Sequence, residues 1–163
     1  MKRIAGWALA AALLLTTGCG ARREAGGAEN SDVALGSLYA AMAEECGWDE
    51  DYMTDVEGDL LEDYYPGLGA VPAKQLLAKV PAMSSDVNEI VLIQCGTEED
   101  AEKAAGILQA RIDSQVEGGA WYPETLEAWE NAGVLRQGGT YVALIASGAF
   151  QEELEEQFRT QFS

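Results

Sequence analysis

NEIVLIQC, residues Asn88 to Cys95, is the stretch from which the fold can be worked out. Ile90, Val91, Leu92 and Ile93 follow one another without a polar residue, and so dense an apolar run predicts a central strand with little exposure. Upstream, Gln75 to Met83 alternates Leu76, Ala78 and Val80 with Leu77 and Lys79, the pattern of a second strand. Pro81 has no N–H to give a ladder, so it confines that strand to an edge or shortens it. Only Ser84, Ser85 and Asp86 join the two, which suits an antiparallel hairpin.

Downstream, Thr97 and Asp100 form a T-x-x-D capping box for a helix to about Val116, with Ala101, Ala104, Leu108 and Ile112 on its buried side. Gly118 and Gly119 stop it. Pro123 opens a shorter helix to about Asn131. Val134 to Arg136, the Gly138–Gly139 pair and Tyr141 to Ala146 read as a hairpin, and the last helix repeats Phe150, Leu154, Phe158 and Phe162 every four residues. Before the sheet, Ser31 or Asp32 can cap a helix whose single apolar face carries Leu35, Leu38, Tyr39, Met42 and Cys46, ended by Gly47. The expected fold is α+β, one antiparallel sheet of about four strands packed against helices.

The 163-residue chain opens with Lys2 and Arg3, an uncharged run from Ile4 to Leu15, then Thr16, Thr17, Gly18 and Cys19. Basic residues before a short apolar run are the pattern of a secretory leader, and the run is too short for a comfortable permanent span of about 20 residues. Small residues before Cys19 match a bacterial lipobox, in which the thiol receives a diacylglycerol and the chain is cut in front of it. Residues 1–18 are thus expected to be a lipoprotein signal, 19–30 the lipidated Cys19 and a flexible tether, and 31–163 one domain. The protein would be held on the extracytoplasmic face of the cell membrane through lipid on Cys19.

Ten basic residues face 28 acidic ones, for a formal charge of −18. The leader holds two of the basic residues and none of the acidic ones, so its removal makes the balance more negative still. A charge of that sign repels phosphate backbones and anionic lipid, which excludes nucleic acid as a partner. Acids are densest from Glu44 to Asp63, with no basic residue among them. An EF-hand loop with Gly58 at its sixth position would start at Met53 and end at Tyr64, neither of them a ligand, so the stretch reads as a solvated acidic face around a short helix at Asp55–Tyr64. Cys46 and Cys95 could close a disulfide outside the cytoplasm, or be two buried thiols, the reading preferred here.

Histidine is absent, which removes Ser-His-Asp and Cys-His nucleophiles and the usual zinc and facial-triad iron sites. No phosphate-binding or dinucleotide fingerprint occurs, and no cofactor is expected. Carboxylate acid/base chemistry of the glycosidase kind survives, with no particular pair singled out. A binding role has better candidates. Trp121, Tyr122 and Trp129 lie within nine positions and could stack on sugar rings or peptide side chains, and Arg111 or Arg136 could anchor a carboxylate. Three of them have a plainer alternative: Trp129 in the core, Tyr122 packed at a turn, Arg111 paired with a nearby acid.

Taken together, the lipobox, the E-I-V-L-I strand, the helix with Arg111 and Gln115, the Tyr122–Pro123 step and the G-G-T-Y-V strand resemble DUF4358, a family of small lipoproteins of clostridial, Gram-positive bacteria. The resemblance implies extracytoplasmic anchoring and an α+β fold over roughly residues 31–160, and no activity. The expectation is a non-catalytic domain that binds an envelope protein or wall component. A carboxylate-dependent cell-wall hydrolase and a small-solute-binding lipoprotein are the alternatives.

Overall fold

The computed structural model describes residues 32–83 and 85–163. The leader, Cys19, the tether and the Ser31 cap lie outside the described residues. One antiparallel sheet is built from β1 (Met53–Asp55), β2 (Ala73–Pro81), β3 (Asn88–Cys95), β4 (Gly133–Gln137) and β5 (Tyr141–Ser147), in the order β1-β2-β3-β5-β4. β3 is the middle strand and every one of its residues is buried, as its unbroken apolar run requires.

Helices cover both faces. Val91, Ile93, Cys95, Val142 and Leu144 point toward α3 (Glu98–Ser114), whose Ala101, Ala104, Leu108 and Ile112 meet them. α2 (Asp59–Tyr64) and α4 (Pro123–Glu130) lie in the same layer, through Leu61, Tyr64 and Trp129. Ile90, Leu92, Ala143 and Ile145 point the other way, onto α1 (Leu35–Cys46) and α5 (Gln151–Thr160) through Leu35, Leu38, Met42, Leu154 and Phe158. Alternate residues of each strand thus feed two separate cores.

The α+β reading stands, with five strands in place of about four. β1 is three residues long and lies within the acidic stretch, with Thr54 and Asp55 exposed, so it carries no apolar alternation. Of the two effects expected of Pro81, shortening is the one observed: β2 ends at Pro81, and it is not an edge strand there, because β1 pairs with Lys79–Pro81 and the Ala82 N–H donates to the Tyr52 carbonyl. Lys74 is skipped in the pairing with β3, a bulge at the start of β2.

α1 begins at Leu35 without a side-chain cap. Asp32 instead accepts a hydrogen bond from Gln94 Nε2 at 2.6 Å, while Gln75 bridges Val33, Leu35 and Gln94. The chain therefore enters the domain at the sheet end formed by the start of β2 and the end of β3. Gly47 closes α1 with φ 66°, a conformation in which a side chain would be strained. α3 ends in a π-helical turn at Gln115–Gly119, and the extended step Ala120–Tyr122 then carries the chain into α4. Cys46 and Cys95 are free and belong to opposite faces of the sheet, so no disulfide links them.

Candidate functional site

Glu89 stands on β3, on the α3 face, at the sheet end opposite the chain's entry. It is 4% exposed, and an acid buried in an otherwise apolar strand needs compensation. Arg111, a helical partner 22 residues on, supplies it: Nε donates to Oε1 at 2.9 Å and Nη2 to Oε2 at 2.8 Å. The Tyr65 hydroxyl adds a third hydrogen bond to Oε1 at 2.7 Å. The Arg111 guanidinium also lies over the rings of Tyr64, at 4.7 Å, and Trp129, at 5.3 Å. Burial alone would weaken its charge, yet the hydrogen bonds and charge of Glu89 outweigh that and raise its pKa. Burial, followed by the neighbouring Glu89, raises the pKa of Tyr65, which remains a phenol able to donate.

Above this cluster opens a cleft of about 610 Å³. Arg111 and Trp129 lie at its base beside Glu89, the end of β2 and the following hairpin form one wall, and the π-turn and α4 form the other. Trp121 and Tyr122 line it from the loop between α3 and α4. Trp121 is 89% exposed and Tyr122 66%. Thr125 fixes that loop to α4, its hydroxyl donating to the Tyr122 carbonyl at 2.8 Å and accepting from the Tyr122 N–H at 3.3 Å. Among the described residues six large apolar side chains are exposed. Four of them, Met83, Val116, Trp121 and Tyr122, either line this cleft or adjoin lining residues in the chain.

Four of the five residues proposed from sequence meet here. Arg111, Trp121, Tyr122 and Trp129 line one cleft, although Trp129 is 5% exposed and does its packing in the core. Arg111 is paired with an acid. Tyr122 is exposed beside its turn. Arg136 does not join them: it is an exposed residue of β4. Glu89, Tyr64, Tyr65 and Asp86 were not among the sequence candidates. The signal for Glu89 was present, an ionisable residue directly before four apolar ones in a fully buried strand, and its partner had to be a cation on the facing helix.

Asp86 accepts hydrogen bonds from Tyr52 and Ser85, at 3.2 and 3.3 Å. Among the described residues no group of three or more Cys, Asp or Glu is placed to hold a metal ion, and the acids of residues 44–63 are spread over α1, β1, α2 and the loops that join them. No helix of the described residues is long and apolar enough to cross a membrane.

A family model described as "Domain of unknown function (DUF4358)" matches residues 47–147. The matched span holds all five strands and the helical layer that carries the cleft, and leaves out α1 and α5. No curated protein and no solved structure matches the chain.

Proposed function

The chain belongs to the DUF4358 family, a domain of unknown function, and on that premise we propose that it is a lipid-anchored, extracytoplasmic, non-enzymatic domain that docks an envelope protein through the Trp121–Tyr122 cleft. The observation that carries this reading is the 89% exposure of Trp121 at the mouth of a cleft floored by Trp129 and Arg111. Tryptophan, tyrosine and methionine are the side chains enriched at protein interfaces, and a cluster of them left open to water is costly unless a partner covers it.

Two further points support it. Glu89 and Gln94 stand at opposite ends of β3, about 17 Å apart at the spacing of a strand, and Gln94 holds Asp32. Asp32, the first described residue, thus lies at the sheet end away from the cleft, so that whatever joins the domain there leaves the cleft free for a partner. The buried carboxylate at the cleft is also fully engaged. Both oxygens of Glu89 accept hydrogen bonds from Arg111, and Oε1 accepts another from Tyr65, which leaves it poorly placed for the acid/base work of a hydrolase.

The test is crosslinking of the tagged protein in its native membrane, followed by mass spectrometry, with Cys19→Ala and Trp121→Ala chains alongside. The reading expects one envelope protein whose recovery falls with either substitution. Recovery of the same proteins from all three chains would refute it.

A further inference from the structure

α4 separates the aromatic cleft from a second one of about 720 Å³. Tyr122, Thr125 and Trp129 look into the first, Glu124 and Glu127 into the second. Glu152, Glu153 and Glu155 of α5 complete the far wall, and no lysine or arginine lines it. Arg159 reaches Glu155 at 2.6 Å, so one of these five acids is matched. The aromatic cleft is no more positive. Arg111 is spent on Glu89, and Asp86 at its wall has no ion-pair partner among the described residues.

The occupant of such a surface cannot be anionic. An uncharged one would gain nothing from the exposed glutamates on α4 and α5, whereas a cationic one is attracted to them and has its apolar part stacked on the exposed rings. The geometry sets a spacing as well. The two clefts lie about one helix diameter apart, roughly 10 Å, which an extended segment spans in three or four residues at ~3.3 Å each.

Resting on the reading of the cleft as a docking surface, we infer that its partner is a basic polypeptide segment: an apolar side chain enters against Trp121 and Tyr122, and lysines or arginines three or four residues away cross α4 onto Glu124, Glu127 and the α5 glutamates. The rings fix where it binds. The charge fixes what kind of segment it is.

The probe is a labelled seven-residue peptide of one leucine, three glycines and three lysines, titrated by anisotropy against the detergent-solubilised full chain at low salt. Its mirror carries glutamate in place of lysine, and a neutral N-acetylglucosamine tetramer is the second probe. Trp121→Ala should weaken the basic peptide about tenfold and Glu124→Gln/Glu127→Gln about three- to fivefold, with the latter loss shrinking at high salt. Glu44→Gln/Glu45→Gln, two exposed acids on α1, should leave affinity within about twofold. An equal loss in that control, equal binding of the mirror peptide, or no binding of the basic peptide overturns the inference. If the neutral glycan binds instead, in a Trp121-dependent way, the cleft remains a docking site and the basic partner is wrong. If neither probe senses Trp121 and membrane crosslinks are indifferent to it too, the docking reading itself falls.

Discussion

Arg111 and Glu89 meet edge to edge, two parallel N–H···O bonds of 2.9 and 2.8 Å, with side chains 17% and 5% exposed. Their geometry fixes α3 against β3 directly beneath the cleft. Removing one partner strands the other's charge, so Glu89→Leu or Arg111→Met should each destabilise the domain by about 3 kcal/mol. The double variant Glu89→Leu/Arg111→Met should lose less than the two singles together. Urea denaturation in a double-mutant cycle measures this, and additive losses would show that the pair acts as two separate residues.

Trp121 and Trp129 lie eight positions apart in the chain and should behave oppositely. Trp129 is 5% exposed, within the core cluster of α3 and β5, and Trp129→Ala should cost about 3–5 kcal/mol. Trp121→Ala should stay within about 0.5 kcal/mol of the parent, because no packing is lost at an exposed site. Thermal melts of the two variants separate the roles. A large destabilisation by Trp121→Ala would mean that its ring is structural.

The two free thiols should differ in reactivity. Burial, then Glu153 and Glu45, push the Cys46 thiol from 9.0 up to about 11. A raised pKa means that folding favours the neutral thiol. That contribution to stability is whole below pH 9 and is lost as pH rises through about 11. At pH 8 the thiolate fraction is about a hundredfold below that of an ordinary cysteine, so alkylation of a Cys19→Ala chain should be slowed by a similar factor at Cys46. Cys95, fully buried, should react only on unfolding. Rapid labelling of either at pH 8 would contradict these environments.

Thr97 caps α3 with half of the expected capping box, its Oγ1 accepting from the Asp100 N–H at 3.1 Å, while the Asp100 carboxylate accepts at 2.7 Å from that same hydroxyl and not from the Thr97 N–H. Thr97→Ala should lower stability by about 1 kcal/mol, and Thr97→Ser should restore most of it. Chemical denaturation of the two variants reads the difference.

Much of the fold was legible because its signals are local and periodic. Ile90–Ile93, the Thr97 cap, Pro123 and the four-residue spacing from Phe150 each specify an element without reference to the rest of the chain. β1 was not legible, since three residues with Thr54 and Asp55 exposed exist as a strand only because the edge of β2 is there to pair with them. Trp121, Tyr122, Trp129 and Arg111 could be selected by residue type, but their convergence depends on the π-turn after α3, which no spacing encodes. Arg136 was selected by the same logic and faces elsewhere, because type without topology does not give direction.

The most direct test of the docking surface is site-specific photocrosslinking in the intact cell, with a photoreactive phenylalanine analogue at position 122 in the cleft mouth or at position 44 on the opposite face of the sheet. The account predicts a discrete adduct with one envelope protein from position 122, competed by the parent chain and lost on Cys19→Ala, and none from position 44. The same adducts from both positions, or none from position 122, would contradict it.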